Sequence, residues 1–125
     1  MSDVLLVTGG SRGIGAATAI CAAKKGWDVA INYARDAEAA KKVSKEVNAF
    51  GRRAITIKGD MTSEDDILKM FEQVESELGH IKGLVNSAGT TGKTARVENM
   101  TALAIRQILE LNVVGLMLCC REAVK

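Results

Sequence analysis

Thr8-Gly9-Gly10-Ser11-Arg12-Gly13-Ile14-Gly15 is the stretch that decides the fold of this 125-residue chain. It follows the apolar run Val4-Leu5-Leu6-Val7, which predicts a buried strand, and it leads into residues 16–25, which predict a helix. Glycines at such a turn let a ligand approach the backbone closely, and free N–H groups at a helix start attract an anion. The stretch therefore predicts a phosphate site, with a purely structural glycine turn as the alternative.

Composition places the chain among single-domain globular proteins, with 47% hydrophobic and 26% charged residues. The net charge of +2 gives no electrostatic case for a nucleic acid or an anionic membrane surface as partner. No run approaches the ~18 apolar residues of a membrane span, and the first residues do not resemble a secretory signal. We therefore expect a cytoplasmic protein.

Cysteine and histidine positions predict neither a disulfide framework nor a metal site. Cys119 and Cys120 are sequence neighbours, and Cys21 lies in a different predicted helix. Buried, reduced thiols are the simplest interpretation of all three. His80 has no set of metal ligands around it and is expected in a solvated loop after Gly79.

Strand and helix patterns alternate along the rest of the chain. Further strands are predicted at Asp28–Tyr33, 53–58 and 81–85, and helices at 36–50, from Thr62 or Ser63 to Leu78, and from 101 to the end. Phe50 falls on the apolar stripe of the second helix. The last helix is apolar around so much of its circumference that two of its faces are expected to be buried.

Alternating strands and helices of these lengths require a parallel sheet with right-handed crossovers. We therefore predict an α/β fold of the Rossmann type, a doubly wound parallel sheet with strand order 3-2-1-4. The order reverses between strands 1 and 4, so a ligand crevice is expected beside residues 8–15.

Four segments fall on the carboxyl edge of that sheet, at residues 8–15, 33–35, 60–61 and 86–89, and together they resemble the amino-terminal half of a short-chain dehydrogenase/reductase. The resemblance is to the group with β-ketoacyl carrier-protein reductases and sugar dehydrogenases, and it covers essentially the whole chain. It rests on T-G-G-S-R-G-I-G at 8–15, G-D-M-T at 59–62, N-S-A-G at 86–89 and N-V-V-G at 112–115. Residues 1–125 are accordingly interpreted as a dinucleotide-binding domain that is incomplete at its carboxyl end.

The resemblance implies a set of cofactor contacts. The residues implied at the pyrophosphate and adenosine ribose are Gly9, Ser11, Arg12, Gly13, Ile14 and Gly15. Asp60 and the Met61 backbone would hold the adenine edge. Contacts along the adenosine ribose and the nicotinamide-side ribose would come from Asn86, Ala88 and Gly89. Asn86 has the alternative role of tying neighbouring strands together, and Ser87 stands where a second asparagine is more usual.

The charge at the end of the second strand indicates which nicotinamide cofactor binds. An acid there would bond the ribose hydroxyls and repel a 2′-phosphate, but Tyr33 near that position is uncharged. Arg12 and Arg35 can bracket a phosphate with bidentate hydrogen bonds. NADP(H) is therefore favoured over NAD(H); the alternative is that Arg35 merely solvates the start of the second helix, where Asp36 is the better cap.

Asn112 is the residue that the resemblance links to catalysis. The matching asparagine in the family distorts its helix and holds a water in a proton relay. The alternative is a core asparagine whose hydrogen bonds are satisfied, since a buried amide without partners would cost stability.

The family transfers hydride between nicotinamide and a small carbonyl or alcohol, with a serine and a Tyr-x-x-x-Lys motif at the reacting centre. Neither can be assigned here, because the only tyrosine, Tyr33, has Ala37 four residues later. We expect the chain alone to be inactive and the complete protein to be a homo-oligomer, a dimer or tetramer. A non-catalytic dinucleotide-binding or interaction module and a degenerate remnant are the alternatives.

Overall fold

A computed structural model describes residues 2–125 and contains four parallel strands in the order β3-β2-β1-β4. The strands are β1 Val4–Thr8, β2 Asp28–Tyr33, β3 Ala54–Lys58 and β4 Ile81–Asn86. The helices are α1 Gly13–Lys24, α2 Ala37–Ala49, α3 Glu64–Glu77, α4 Ala102–Leu109 and α5 Leu116–Ala123, with a π-helical segment Glu110–Gly115 between the last two and a 3₁₀ turn at Val97–Asn99. The predicted fold class and strand order are confirmed.

The central strand β1 is buried along its whole length, because helices cover both faces of the sheet. Val4 and Leu6 pack into one apolar core with α3 and α5, and Leu5 and Val7 pack into a second core with α1 and α2. Strand pairing from Val4 with Asp28 to Thr8 with Asn86 brings the carboxyl ends of β1, β2 and β4 to one edge. The predicted crevice therefore lies where these three strands end.

An ion pair between the buried Asp28 and the exposed Arg53 fixes the opposite edge of the sheet and was not predicted. The Asp28 carboxylate is 2% exposed and accepts hydrogen bonds from Arg53 N at 2.9 Å and Arg53 Nε at 3.0 Å. Arg53 also donates to the Leu78 carbonyl at 3.0 Å, so one guanidinium joins the start of β2 to the end of α3.

Two predictions about apolar faces were wrong. Phe50 caps the carboxyl end of α2 and is 47% exposed instead of buried. In the segment from α4 to α5 only Gly115 and Cys119 are buried, so one face packs on the protein and the other is exposed. The large apolar side chains on the exposed face include Leu103, Leu109, Val113 and Met117.

The same segment corrects the expectation about membrane-spanning length. By length and composition alone, Ala102–Ala123 is long and apolar enough to cross a membrane, with a mean hydropathy of 1.6 over 18 residues. Cys119 at 1% exposure packs into the core beneath the sheet, so this helix also contributes to the fold as a core helix does.

The three cysteines differ in exposure, which corrects the interpretation that all are buried. Cys119 is buried, and its burial raises the pKa of its thiol to about 11, with a smaller effect from Cys120. Cys21 and Cys120 are exposed.

Maleimide labelling tests this difference in exposure. Because the thiolate is the nucleophile, we expect a maleimide at pH 8 to modify Cys21 and Cys120 of the native chain quickly and Cys119 only after unfolding, as followed by intact mass. Three thiols reacting at one rate would contradict this.

His80 is exposed in the turn after Gly79, as predicted.

Candidate functional site

A cleft of about 790 Å³ opens at the carboxyl edge of the sheet, a volume typical of small-molecule sites. The predicted site residues that line it are Gly9, Ser11, Arg12, Gly13, Ile14, Arg35, Asp60, Met61, Ala88 and Gly89. Gly15, Tyr33, Asn86 and Asn112 lie outside its lining. The four sequence segments thus meet at one cleft, although they are far apart in the chain.

The start of α1 faces this cleft without a side-chain cap. The other three helices that begin after a loop, α2, α3 and α4, are capped by Asp36, Ser63 and Thr101, each of which accepts a backbone N–H three residues on. The Arg12 side chain forms no such bond, and α1 begins at Gly13 rather than at residue 16. Within residues 2–125, the N–H groups of residues 13–15 have no hydrogen-bond partner and are available to an anion.

Glycine is required at two positions of the turn because backbone approaches backbone there. A Cβ on Gly9, whose φ is +60°, would lie 2.8 Å from the Ala88 backbone, and a Cβ on Gly15 would overlap the Gly9 carbonyl oxygen. Thr8 Oγ1 accepts a hydrogen bond from the Ala88 N–H at 3.2 Å, which joins the loops after β1 and β4. Gly15 therefore shapes the turn from below, without lining the cleft.

Asn32 organises the cleft from the end of β2, and the sequence-based prediction did not include it. Its side chain is 1% exposed; Oδ1 accepts from Gly9 N at 3.1 Å, and Nδ2 donates to the Ile57 and Gly59 carbonyls at 3.3 and 3.2 Å. The one amide in the strand D-V-A-I-N-Y was the available signal, since a buried amide needs partners.

Arg12 and Arg35 both line the cleft with exposed side chains. Neither forms a salt bridge with an acid of the described chain. Asp36 caps α2, accepting from Ala39 N at 3.0 Å, as the alternative interpretation of Arg35 assumed. Ile14 is 80% exposed in the same cleft. Two cations and one apolar side chain are thus available to a ligand.

Met61 and Asn86 contribute to the site mainly through the backbone and through packing. Met61 is 4% exposed and its Sδ lies 3.8 Å from Cys119 Sγ, so its side chain belongs to the core under α5. Asn86 Nδ2 donates to Cys120 Sγ at 3.4 Å, which connects the end of β4 to α5.

Asn112 lies in the π-helical segment, so the helix is distorted where the resemblance implied it. Its Oδ1 accepts from Thr90 N at 2.8 Å and its Nδ2 donates to the Thr90 carbonyl at 2.7 Å. These paired bonds hold the loop after β4 beside the cleft. They also satisfy the hydrogen bonds of the amide, as the alternative interpretation of Asn112 required. The catalytic role of Asn112 stays a prediction.

The family model of short chain dehydrogenases matches residues 3–125. The chain belongs to this family. It is 42% identical over 122 residues to the uncharacterised oxidoreductase YgfF of Escherichia coli, covering 98% of this chain and 49% of that protein. It is 35% identical over 124 residues to a 3-oxoacyl-[acyl-carrier-protein] reductase of Synechocystis, covering 99% of this chain and 50% of that protein.

Solved structures of short-chain dehydrogenase/reductases agree with this assignment. A Serratia marcescens enzyme superposes with a TM-score of 0.93 at 32% identity, covering 98% of this chain and 49% of that one. The chain spans about half the length of the curated relatives it matches, and it corresponds to the amino-terminal half of the short-chain dehydrogenase fold. The family consists of oxidoreductases and includes 3-oxoacyl-[acyl-carrier-protein] reductases.

Proposed function

We propose that the chain is the NADP(H)-binding half of a short-chain oxidoreductase. The observation that carries the proposal is the uncapped start of α1 beside two arginines that have no acidic partner in the described chain. The free N–H groups of residues 13–15 suit the pyrophosphate, because they combine unsatisfied donors with the positive end of the helix dipole. Gly9 and Gly15 support the same assignment. Because neither carries a side chain, the turn can fold tightly and leave the backbone N–H groups at the start of α1 facing the cleft.

The 2′-phosphate of NADP(H) would lie between Arg12 and Arg35. Both arginines line the cleft, and Asp36 beside Arg35 is engaged in capping α2. A phosphate can accept paired hydrogen bonds from each arginine, which the ribose hydroxyl of NAD(H) cannot match. The relatives that are 3-oxoacyl-[acyl-carrier-protein] reductases are compatible with this preference.

In the complete protein, hydride would pass between nicotinamide and a small carbonyl or alcohol. This chain would bind and orient the dinucleotide and be inactive alone, since Tyr33, its only tyrosine, lies outside the cleft lining. The cytoplasmic location stays a prediction. So does the homo-oligomer, for which the exposed apolar face of α4 and α5 is the supporting observation.

Replacing Arg12 and Arg35 together by alanine tests the choice of cofactor. We expect NADPH binding to weaken about tenfold to a hundredfold, because charge-assisted contacts worth ~1.5–3 kcal/mol in total are lost from an exposed site, and NADH binding to weaken less than about threefold. Isothermal titration calorimetry at fixed salt measures both. Arg106→Ala is the matched control, because Arg106 is exposed on α4 outside the cleft lining.

Equal losses for the two cofactors would remove the preference for NADP(H). If the unaltered chain bound neither cofactor, the interaction module would replace this proposal. Reduction of a ketone by the chain with NADPH would contradict its inactivity.

A further inference from the structure

The loop of residues 59–63, between β3 and α3, holds the Asp60 carboxylate in one orientation. Thr62 donates two hydrogen bonds to the same oxygen, Asp60 Oδ1, from its backbone N at 2.9 Å and from its Oγ1 at 2.7 Å. The Asp60 N–H donates to Asp66 Oδ2 at 2.8 Å. Asp60 is therefore fixed at both its backbone and its side chain, although it is exposed on the surface.

The second oxygen of this carboxylate remains available to a ligand. Within residues 2–125, Asp60 Oδ2 accepts no hydrogen bond, and Asp60 lines the cleft together with Met61 and Thr62. An ionised carboxylate is only an acceptor, so its partner must be an N–H or O–H donor. The neighbouring Asp66 adds negative charge, which disfavours a phosphate at this loop.

The strand order indicates which part of a dinucleotide reaches this loop. Its pyrophosphate would lie at the start of α1, after β1, and its 2′-phosphate between Arg12 and Arg35, after β2. Because β3 is the next strand outward, the base attached to the phosphorylated ribose would extend toward Asp60. That base is adenine, which carries an exocyclic amino group as a donor.

We propose that Thr62 is a positioning residue that makes the cleft selective for the adenine amino group. Its hydroxyl occupies Asp60 Oδ1 and thereby presents Oδ2 to that amino donor. The inference rests on the proposed function, because it takes NADP(H) as the ligand. It goes further in assigning to Thr62 the orientation of the carboxylate on which base selectivity depends.

Paired titrations with NADPH and its hypoxanthine analogue, in which a carbonyl oxygen replaces the amino group, test this role. The unaltered chain should bind NADPH about tenfold more tightly than the analogue, the lower end for a charge-assisted hydrogen bond because the site is exposed. In Thr62→Val only the backbone N–H of residue 62 still holds Oδ1, so the carboxylate is oriented less firmly and the ratio should fall below about threefold. Thr62→Ser keeps the hydroxyl and should restore the ratio.

Thr56→Val is the matched control, since Thr56 lies on β3, outside the cleft lining, and the substitution preserves the side-chain shape. It should leave the ratio unchanged. If Thr62→Val weakened NADPH and the analogue equally, or if the unaltered chain bound both equally, Thr62 would not position Asp60 for adenine. If the unaltered chain bound neither, the proposed function itself would fail and this inference with it.

Discussion

Replacing Asn32 by alanine is expected to destabilise the chain by about 3–5 kcal/mol. The substitution leaves Gly9 N and two carbonyl oxygens without their side-chain partner in a buried position, at ~1–3 kcal/mol for each unsatisfied group. Urea unfolding followed by the fluorescence of Trp27, the only tryptophan, measures the loss. A loss of this size is a large part of the ~5–15 kcal/mol that stabilises an ordinary domain.

Two further variants sharpen the Asn32 experiment. Asn48→Ala on the exposed side of α2 should change the free energy of unfolding by less than about 0.5 kcal/mol. Asn32→Asp keeps the acceptor for Gly9 N but places a carboxylate against the Ile57 and Gly59 carbonyls, so its deficit relative to the unaltered chain should shrink as the pH falls toward ~4 and the acid is protonated. An Asn32→Ala chain as stable as Asn48→Ala would show that the three hydrogen bonds contribute nothing.

Replacing Gly15 by alanine is expected to cost about 3 kcal/mol or more. Helix propensity alone would make alanine more stable than glycine at a helical position by ~1 kcal/mol. A loss of stability in Gly15→Ala would therefore come from the steric clash of the new methyl group. The new methyl group would overlap the Gly9 carbonyl oxygen, and backbone cannot rotate away as a side chain can. Displacing that carbonyl would move the turn, so NADPH binding should weaken in parallel, as measured by calorimetry.

Gly13→Ala is the control for the Gly15 experiment. A Cβ at Gly13 meets no atom within 4 Å, so only its φ of +57° penalises alanine, by ~1–2 kcal/mol. A Gly15→Ala chain that was as stable as Gly13→Ala would contradict the steric argument.

Apolar periodicity predicted the layout of the fold because each strand or helix has a characteristic spacing of apolar residues within its own stretch of sequence. The buried residues Ile67, Met70 and Val74 of α3 and all of β2 appeared where the patterns indicated. The carboxyl edge of the sheet followed from the strand order, and with it the cleft. The early start of α1 was missed because residues 13 and 15 are glycines, which contribute nothing to a hydropathy pattern.

Long-range polar contacts could not be predicted in the same way. Asn32 joins residues 9, 57 and 59, and Asp28 pairs with Arg53, so their partners are set by the assembled sheet rather than by neighbours in sequence. Hydropathy also failed for Phe50 and for the outer face of α4 and α5. It measures the preference of a side chain for apolar surroundings but does not say which surface supplies them.

If the proposed dinucleotide binds at the uncapped start of α1, it becomes a component of the folded state. Its three N–H groups can be satisfied by an anion that binds the native chain and not the unfolded one, so thermodynamic linkage transfers binding free energy to folding. At a hundred times the dissociation constant that transfer is ~2.7 kcal/mol, comparable to the Asn32 or Gly15 effects. The stability of this turn would then rise with the concentration of a small molecule, and the supply of cofactor would shift the equilibrium fraction of chain that is folded.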